Sequence, residues 1–312
     1  ETLPIGRKNL RGLMAMIRWI RAFRDAGGRV VFNTHSSTDS WLVAAALKTL
    51  RRKYPVVRTR HISAGVPRNR MSRWLYARAA ARIVTTGEAL RMQLIDGLGI
   101  DPGRVVSVPT GIDTERFVPG VRSTARTGLG LPGDKVLVGI VATLRSWKGH
   151  RYLVEACAAM PEGVGLVIVG DGPQRKALDA LVAAHGISGR VWMPGNQNDV
   201  LPWLQAMDVF ALPSYANEGV PQALIQAMLV GLPCVTTSAG SIGELAHHEE
   251  TALVVPAQDA EALREAIGRL QADPDLRTRL GAAARVHCRA HYGRARMLDR
   301  MDCRGGPIEK LA

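Results

Sequence analysis

The first strong period along the chain is helical. Within 7–24, Leu10, Leu13, Met14, Ile17 and Ile20 recur at helical spacing among arginines. They predict a basic amphipathic helix that ends at Gly27-Gly28. Short β-branched runs then alternate with helical stretches. RVVFNTH (29–35), VVRTRHIS (56–63), RIVTTG (82–87) and RVVSVPTG (104–111) predict four strands. Helices are expected between them over 39–52, 69–80 and 88–98. Gly- and Pro-containing sequence at 118–133 predicts a linker.

A second alternating series follows. Strands are expected at 135–142, 165–170, 190–195, 208–214, 233–237 and 252–256. Helices are expected at 149–160, 173–185, 199–206, 219–230, 259–272 and 275–291. Runs such as KVLVGIVA and GLVIVG are apolar throughout, the mark of strands buried on both faces of a parallel sheet. The fold class is therefore α/β with two Rossmann-like domains. The boundaries are 1–120 for an amino-terminal domain, 121–133 for the linker, 134–291 for the second domain and 292–312 for a tail. The last residues, CRGGPIEKLA, lose the helical pattern.

Composition narrows the picture. A chain of 312 residues with 46% apolar residues suits two cored domains rather than a disordered protein. No apolar run approaches the roughly 18 residues of a membrane-spanning helix. Cys157, Cys234, Cys288 and Cys303 stand far apart, which favours a reducing compartment over a disulfide scaffold or zinc ribbon. No signal peptide is visible, but the sequence opens on Glu1 rather than an initiator Met, so the start of the natural chain is expected to be missing from it. The net charge of +14 is concentrated at one end: residues 1–120 hold 21 Lys and Arg against 8 Asp and Glu. That field attracts polyanions, whether nucleic acid, anionic lipid or phosphorylated substrate; a merely solvated basic surface is the lesser alternative. Aromatic residues total 5% and no zinc-finger, KH or RRM signature occurs, which argues against nucleic acid.

The candidate chemistry lies mainly in the second domain. GDGP (170–173) places glycines where a strand meets a helix, either to admit a ligand or for steric reasons alone. In TLRSWKGH (143–150), Arg145 and Lys148 flank a helix entrance, where two cations would stabilise a diphosphate. They also suit a pair of surface cations. In PSYANEGVPQALIQAMLVGLPCV (213–235), Glu218 precedes the Gly219-Val220-Pro221 turn into a helix. Gln226 is seven residues after Gly219, about two turns, so both share a face if the helix includes Gly219. Glu218 could accept hydrogen bonds from sugar hydroxyls, or simply complement the helix dipole. The one literal D-x-D, Asp273-Pro274-Asp275, reads as a helix boundary.

These residues resemble the GT-B nucleotide-sugar glycosyltransferases, and among them glycosyltransferase family 4, over roughly 29–290. The family's E-x7-E element resembles Glu218 to Gln226, and its phosphate loop resembles Lys148-Gly149. GDGP, DVFALPS, GLPCV and SAGSIGELA (238–246) follow in family order. PVVRTRH (55–61) is similar to the strand that carries the family's active-site histidine, here His61. VPTGIDTERF (108–117) is similar to the segment that closes the first domain.

The resemblance implies that Arg145 and Lys148 bind the donor diphosphate and that Glu218 contacts the donor sugar. The amides of Gly219 and Val220 would hold sugar and phosphate, Gln226 the ribose and Asn196 the base, while His61 would reach the sugar. His35 in THSSTDS is assigned no such role, because a helix cap explains its neighbours. The implied activity is retaining, metal-independent transfer of a sugar to a hydroxyl of a lipid-linked or lipopolysaccharide-type glycan. No cofactor is expected, since the nucleotide-sugar is a substrate. The basic first domain would face an anionic membrane or acceptor, which implies a cytoplasmic protein peripheral to the inner face of the cytoplasmic membrane.

Three departures from the family pattern stand out. Gln226 replaces the second glutamate, Thr143 stands five residues before Lys148 where the family often has arginine, and the first domain lacks the family's first strands. The chain is therefore expected to be a fragment with an incomplete acceptor side. A sugar-nucleotide epimerase or hydrolase, and a non-catalytic nucleotide-sugar or polyanion binder, are the competing readings.

Overall fold

The computed structural model describes residues 9–22, 30–61 and 65–301. The chain divides into two compact units, 1–109 with 297–312, and 110–296. The expected helix stop at Gly27-Gly28 and the tail 303–312 lie outside the described residues.

In the first unit, α1 (Leu10–Ala22) precedes β1 (Phe32–Thr34) and α2 (Ser37–Leu50). Next come β2 (Val56–Arg60), α3 (Arg70–Trp74), β3 (Arg82–Thr85), α4 (Glu88–Leu98) and β4 (Val105–Ser107). The sheet is parallel in the order β1-β2-β3-β4. The amino end of α2 is fixed by a capping box, in which Ser36 Oγ accepts from Thr38 and Asp39 and the Asp39 carboxylate accepts from Ser36 N. Helix α3 runs into a π-helical turn, Leu75–Ala79, whose wider bore carries the buried Leu75 and Tyr76. The apolar face of α1 buries Met16, Ile17 and Ile20 against Leu42, Val43 and Leu47 of α2.

The second unit contains α5 (Arg122–Leu129), β5 (Val136–Val141), α6 (His150–Ala158), β6 (Val164–Val169), α7 (Arg175–Ala184) and β7 (Val191–Gly195). Then follow α8 (Leu201–Ala206), β8 (Val209–Leu212), α9 (Gln222–Val230), β9 (Cys234–Thr236), β10 (Leu253–Val254), α10 (Ala260–Ala272) and α11 (Pro274–His291). The final helix, α12 (Arg294–Met301), returns the chain to the first unit at Met297. The sheet is parallel in the order β10-β9-β8-β5-β6-β7. All of β6 and most of β5 are buried, as their unbroken apolar runs require. Asp273 closes α10 and caps α11, its Oδ1 2.9 Å from Leu276 N, so Asp273-Pro274-Asp275 is a helix boundary.

The expected domain limits need three corrections. Residues 110–120 belong to the second unit, where Ile112 and Phe117 join its core and Ile112 N donates to Tyr292 O at 2.9 Å. The stretch 121–133 is not a free linker, because it forms α5 and packs on α8. The buried Arg126 anchors it: Nε reaches Ala206 O at 2.9 Å, and Nη2 pairs with Asp208 at 2.5 Å. The glycines that suggested a loop include Gly130, which is the left-handed helix cap at φ 65°. Finally, 292–301 is no tail: it carries α12, whose Met297 and Met301 pack on Val57, Val84 and Val108.

Candidate functional site

In the second sheet β5 is flanked by β6 on one side and β8 on the other, so the winding reverses between β5 and β8. In such a sheet the crevice beyond the carboxyl ends of these two strands is the natural ligand site. The loop after β5 carries Arg145 and Lys148, and the loop after β8 carries Glu218, Gly219 and Val220. Topology therefore brings the two strongest motifs together, 70 residues apart in sequence.

Lys148 ends a single 3-10 turn, Ser146–Lys148. Gly149 follows at φ 74°, and a Cβ there would stand 2.0 Å from Pro213 O, so only glycine lets this loop lie against the end of β8. Tyr215 N donates to Trp147 O at 2.9 Å and ties the loops together. Asn217, in the left-handed region at φ 60°, turns the chain so that Glu218 is buried at 4% exposure. Lys148 Nζ lies 2.7 Å from Glu218 Oε1, an ion contact without aligned hydrogen-bond geometry. The 238–246 segment closes the arrangement. Ser241 N donates to Glu218 O at 3.2 Å, and Gly240, at φ 59°, comes so near that a Cβ would meet that oxygen at 2.1 Å. The hydroxyls of Ser214 and Ser241 are buried with no hydrogen-bond partner among the described residues.

The other expected site residues are placed less centrally. Helix α9 begins at Gln222, so Gly219 and Val220 form the turn before it and Gly219 is not helical. The premise that put Gly219 and Gln226 on one helical face fails; Gln226 is half-buried on α9. Arg145 is exposed and its guanidinium lies over the Trp147 ring at 5.7 Å, rather than with the Lys148–Glu218 pair. Asn196 is exposed directly after β7, on the same carboxyl edge of the sheet. His61 belongs to the first unit, just beyond β2.

Two features escaped the sequence reading. His150, the first residue of α6, is 2% exposed. Burial, and then the Lys148 charge, push its pKa down to about 4, against a weaker opposing contribution from the Arg145 backbone. It is neutral at pH 7. His35 Nδ1 lies 2.9 Å from His61 Nε2, with the rings stacked at 5.2 Å. Desolvation, and then the His35 charge, lower the pKa of His61. The signal was available, because His35 and His61 each follow neighbouring parallel strands. Among the described residues, no group of three or more His, Cys, Asp or Glu could hold a metal ion.

Comparison with known proteins bears on this geometry. Residues 121–287 match the family described as Glycosyl transferases group 1, and residues 1–116 match Glycosyltransferase Family 4. A D-inositol 3-phosphate glycosyltransferase of Xylanimonas cellulosilytica is 31% identical over 297 residues, covering 86% of this chain and 70% of the relative. The lipopolysaccharide core biosynthesis glycosyltransferase LpsE of Rhizobium meliloti is 34% identical over 196 residues, covering 63% of this chain and 55% of LpsE. Several relatives are thus matched over only about half their length, 51% for the enzyme of Saccharomonospora viridis. In three dimensions the chain is similar to Anabaena HepE in complex with UDP and glucose. The TM-score is 0.85 at 20% identity, over 93% of this chain and 80% of HepE. It is also similar to WaaG, a glycosyltransferase involved in lipopolysaccharide biosynthesis, at TM-score 0.72 and 18% identity over 95% and 96% of the two chains. The two α/β units are those of the GT-B fold, and the chain belongs to the group 1 glycosyltransferases.

Proposed function

We propose that this protein is a retaining glycosyltransferase that moves a sugar from a nucleotide-sugar to a hydroxyl of a lipid-linked or lipopolysaccharide-type glycan. The observation that carries the reading is the Lys148–Glu218 ion pair at the point where the winding of the second sheet reverses. A cation held there by a buried carboxylate suits a diphosphate that gains charge as it leaves. HepE holds UDP and glucose in its structure, and LpsE is named for lipopolysaccharide core synthesis, which supports the donor and acceptor classes.

In this reading Lys148 binds the donor diphosphate, Arg145 swings from Trp147 to join it, and the Gly219 and Val220 amides hold sugar and phosphate. Glu218 accepts hydrogen bonds from the sugar, Gln226 meets the ribose, Asn196 the base, and His61 the sugar. The acceptor oxygen attacks the anomeric carbon on the face from which the diphosphate departs. The bond to the diphosphate breaks, and the acceptor proton passes to a diphosphate oxygen. The protein positions the reactants and stabilises charge; the proposal includes neither metal nor cofactor. No described helix is long and apolar enough to cross a membrane. The charge excess of residues 1–120 supports a peripheral place on an anionic, cytoplasm-facing membrane surface.

Calorimetric titration with UDP, GDP and ADP and their sugars tests the donor site. Saturable binding of one nucleotide, weakened at least tenfold in a folded Lys148→Met variant, is expected. Absence of binding to every nucleotide by folded protein would refute the reading. An epimerase or hydrolase would instead consume the donor without any acceptor.

A further inference from the structure

The first unit contains a cavity of about 820 Å3 that the donor chemistry does not use. Arg58, Arg60 and Tyr76 contribute polar groups to it, and Leu10, Leu13 and Trp41 contribute apolar wall. Ser37 opens α2, and Gly65 follows β2, so the cavity reaches the carboxyl edge of the sheet, the edge that also carries His61.

Arg58 is the unusual feature. It is only 4% exposed, yet its guanidinium hydrogen-bonds to neutral oxygens, Ser36 O at 3.0 Å and Ser40 Oγ. Its Nε is buried with no hydrogen-bond partner among the described residues. Among the described residues, a carboxylate, Asp39, is reached only through Ser40, whose Oγ lies 3.3 Å from Asp39 Oδ1. That carboxylate is already occupied by the His35 and Ser36 amides. The guanidinium also lies over the Tyr76 ring at 4.7 Å. Arg60, two residues along β2 and so on the same face, donates to Tyr76 Oη at 3.0 Å. A buried cation with no direct counter-ion among the described residues is costly. An anionic ligand on Arg58 would relieve that cost, and Arg60 is near enough to donate to the same ligand. Guanidinium groups suit a phosphoryl group in particular, because their planar donors match its oxygens.

The rest of the cavity defines the other end of the ligand. Leu10 is 73% exposed and Met71 is 65% exposed, and both line the opening. Leu13, Trp41, Leu42 and Leu75 continue the apolar surface inward. An opening edged with exposed apolar side chains above a cationic floor fits a molecule with both characters.

We propose that this cavity binds an amphiphile with a phosphoryl head, the head on Arg58 and Arg60 and the apolar part against Leu10, Leu13 and Trp41. The ligand is the acceptor, or the lipid-phosphate portion of it; that designation rests on the transferase reading, while the binding itself does not.

The test titrates the whole protein with dodecyl phosphate below its micellar concentration and follows tryptophan fluorescence, since Trp41 lines the cavity and stacks on Trp74 at 5.9 Å. Dodecyl maltoside and inorganic phosphate supply the chain without the charge and the charge without the chain. Saturable binding of dodecyl phosphate, at least tenfold tighter than either control, is expected. Arg60→Gln, at a half-buried position, and Leu10→Glu, at the exposed opening, should each weaken it at least tenfold with the far-ultraviolet circular dichroism unchanged. Equal affinity for the neutral detergent, or no effect of Arg60→Gln, would overturn the proposal. Vesicles of phosphatidic acid and phosphatidylcholine form the second arm. Response to acidic vesicles without response to monomeric dodecyl phosphate would mean surface attraction only and would also overturn it. Titration of the same sample with UDP, GDP and ADP separates the two readings: binding of one nucleotide without dodecyl phosphate binding sinks the cavity proposal alone, and dodecyl phosphate binding without binding of any nucleotide sinks the donor reading alone.

Discussion

Replacing Lys148 by methionine keeps most of the side-chain volume and removes the charge that faces Glu218. The contact is 2.7 Å, with side-chain exposures of 20% for Lys148 and 5% for Glu218. At an effective dielectric of about 20, two unit charges at that distance attract by about 6 kcal/mol. Desolvating the ions opposes this by several kcal/mol each, so the intact pair contributes little net stability. Removing only the lysine leaves the desolvation cost of Glu218 in place without the attraction. Deleting one member of a fully buried pair costs roughly 3–5 kcal/mol, and the partial exposure of Lys148 places the expected loss near the lower end, about 3 kcal/mol. For a domain of this size that lowers the melting temperature by roughly 6–12 °C. Denaturant melts of the wild type, Lys148→Met, Glu218→Gln and the double variant close a thermodynamic cycle. The double variant should recover at least 1 kcal/mol of the loss in Lys148→Met. A Lys148→Met variant within about 0.5 kcal/mol of wild type, or a double variant as unstable as Lys148→Met, would refute the view that Lys148 compensates the burial of Glu218.

Two further predictions concern the same region. His150 titrates near 4 when folded and near the ordinary 6.5 when unfolded, so the unfolded chain binds the extra proton. Its contribution is therefore complete above pH 6.5 and is lost as pH falls toward 4, by up to about 3 kcal/mol. Urea midpoints across this range should show a steeper acid loss in wild type than in His150→Phe; equal slopes would contradict the assignment. Gly149→Ala should destabilise by at least about 2 kcal/mol and weaken nucleotide binding, because its φ is 74° and its Cβ would strike Pro213 O. Gly268→Ala, within α10 and with no atom within 4 Å of the added carbon, should stabilise by about 0.5–1 kcal/mol. Thermal melts that rank the two glycine variants in the opposite order would contradict both structural assignments.

The fold was legible wherever local pattern and global burial agree. Runs such as VLVGIV and VGLVIV have only one good solution, a strand covered on both faces. Patterning was misleading at 121–133. There a helix with three arginine, serine or threonine residues at its start and a glycine near its end reads as loop, yet Arg126 fastens it through a network reaching Ala206 and Asp208. The start of α9 was also misplaced, because Gly219 and Val220 look like helix-entry residues until Asn217 and Gly240 are seen to shape that turn.

The sequence by itself determined the α/β alternation, the order of the motifs and the family resemblance, because periodicity and short motifs are local properties of the chain. The tertiary structure alone decided which charges face each other. Lys148 meets Glu218 because β5 and β8 are neighbours, and His35 meets His61 because β1 and β2 are. Arg58 has no direct counter-ion among the described residues because β2 turns it inward, against α2 and the π-helical turn. Sequence spacing carries no record of such pairings, since they depend on strand order and on what each side chain loses in water when it is buried.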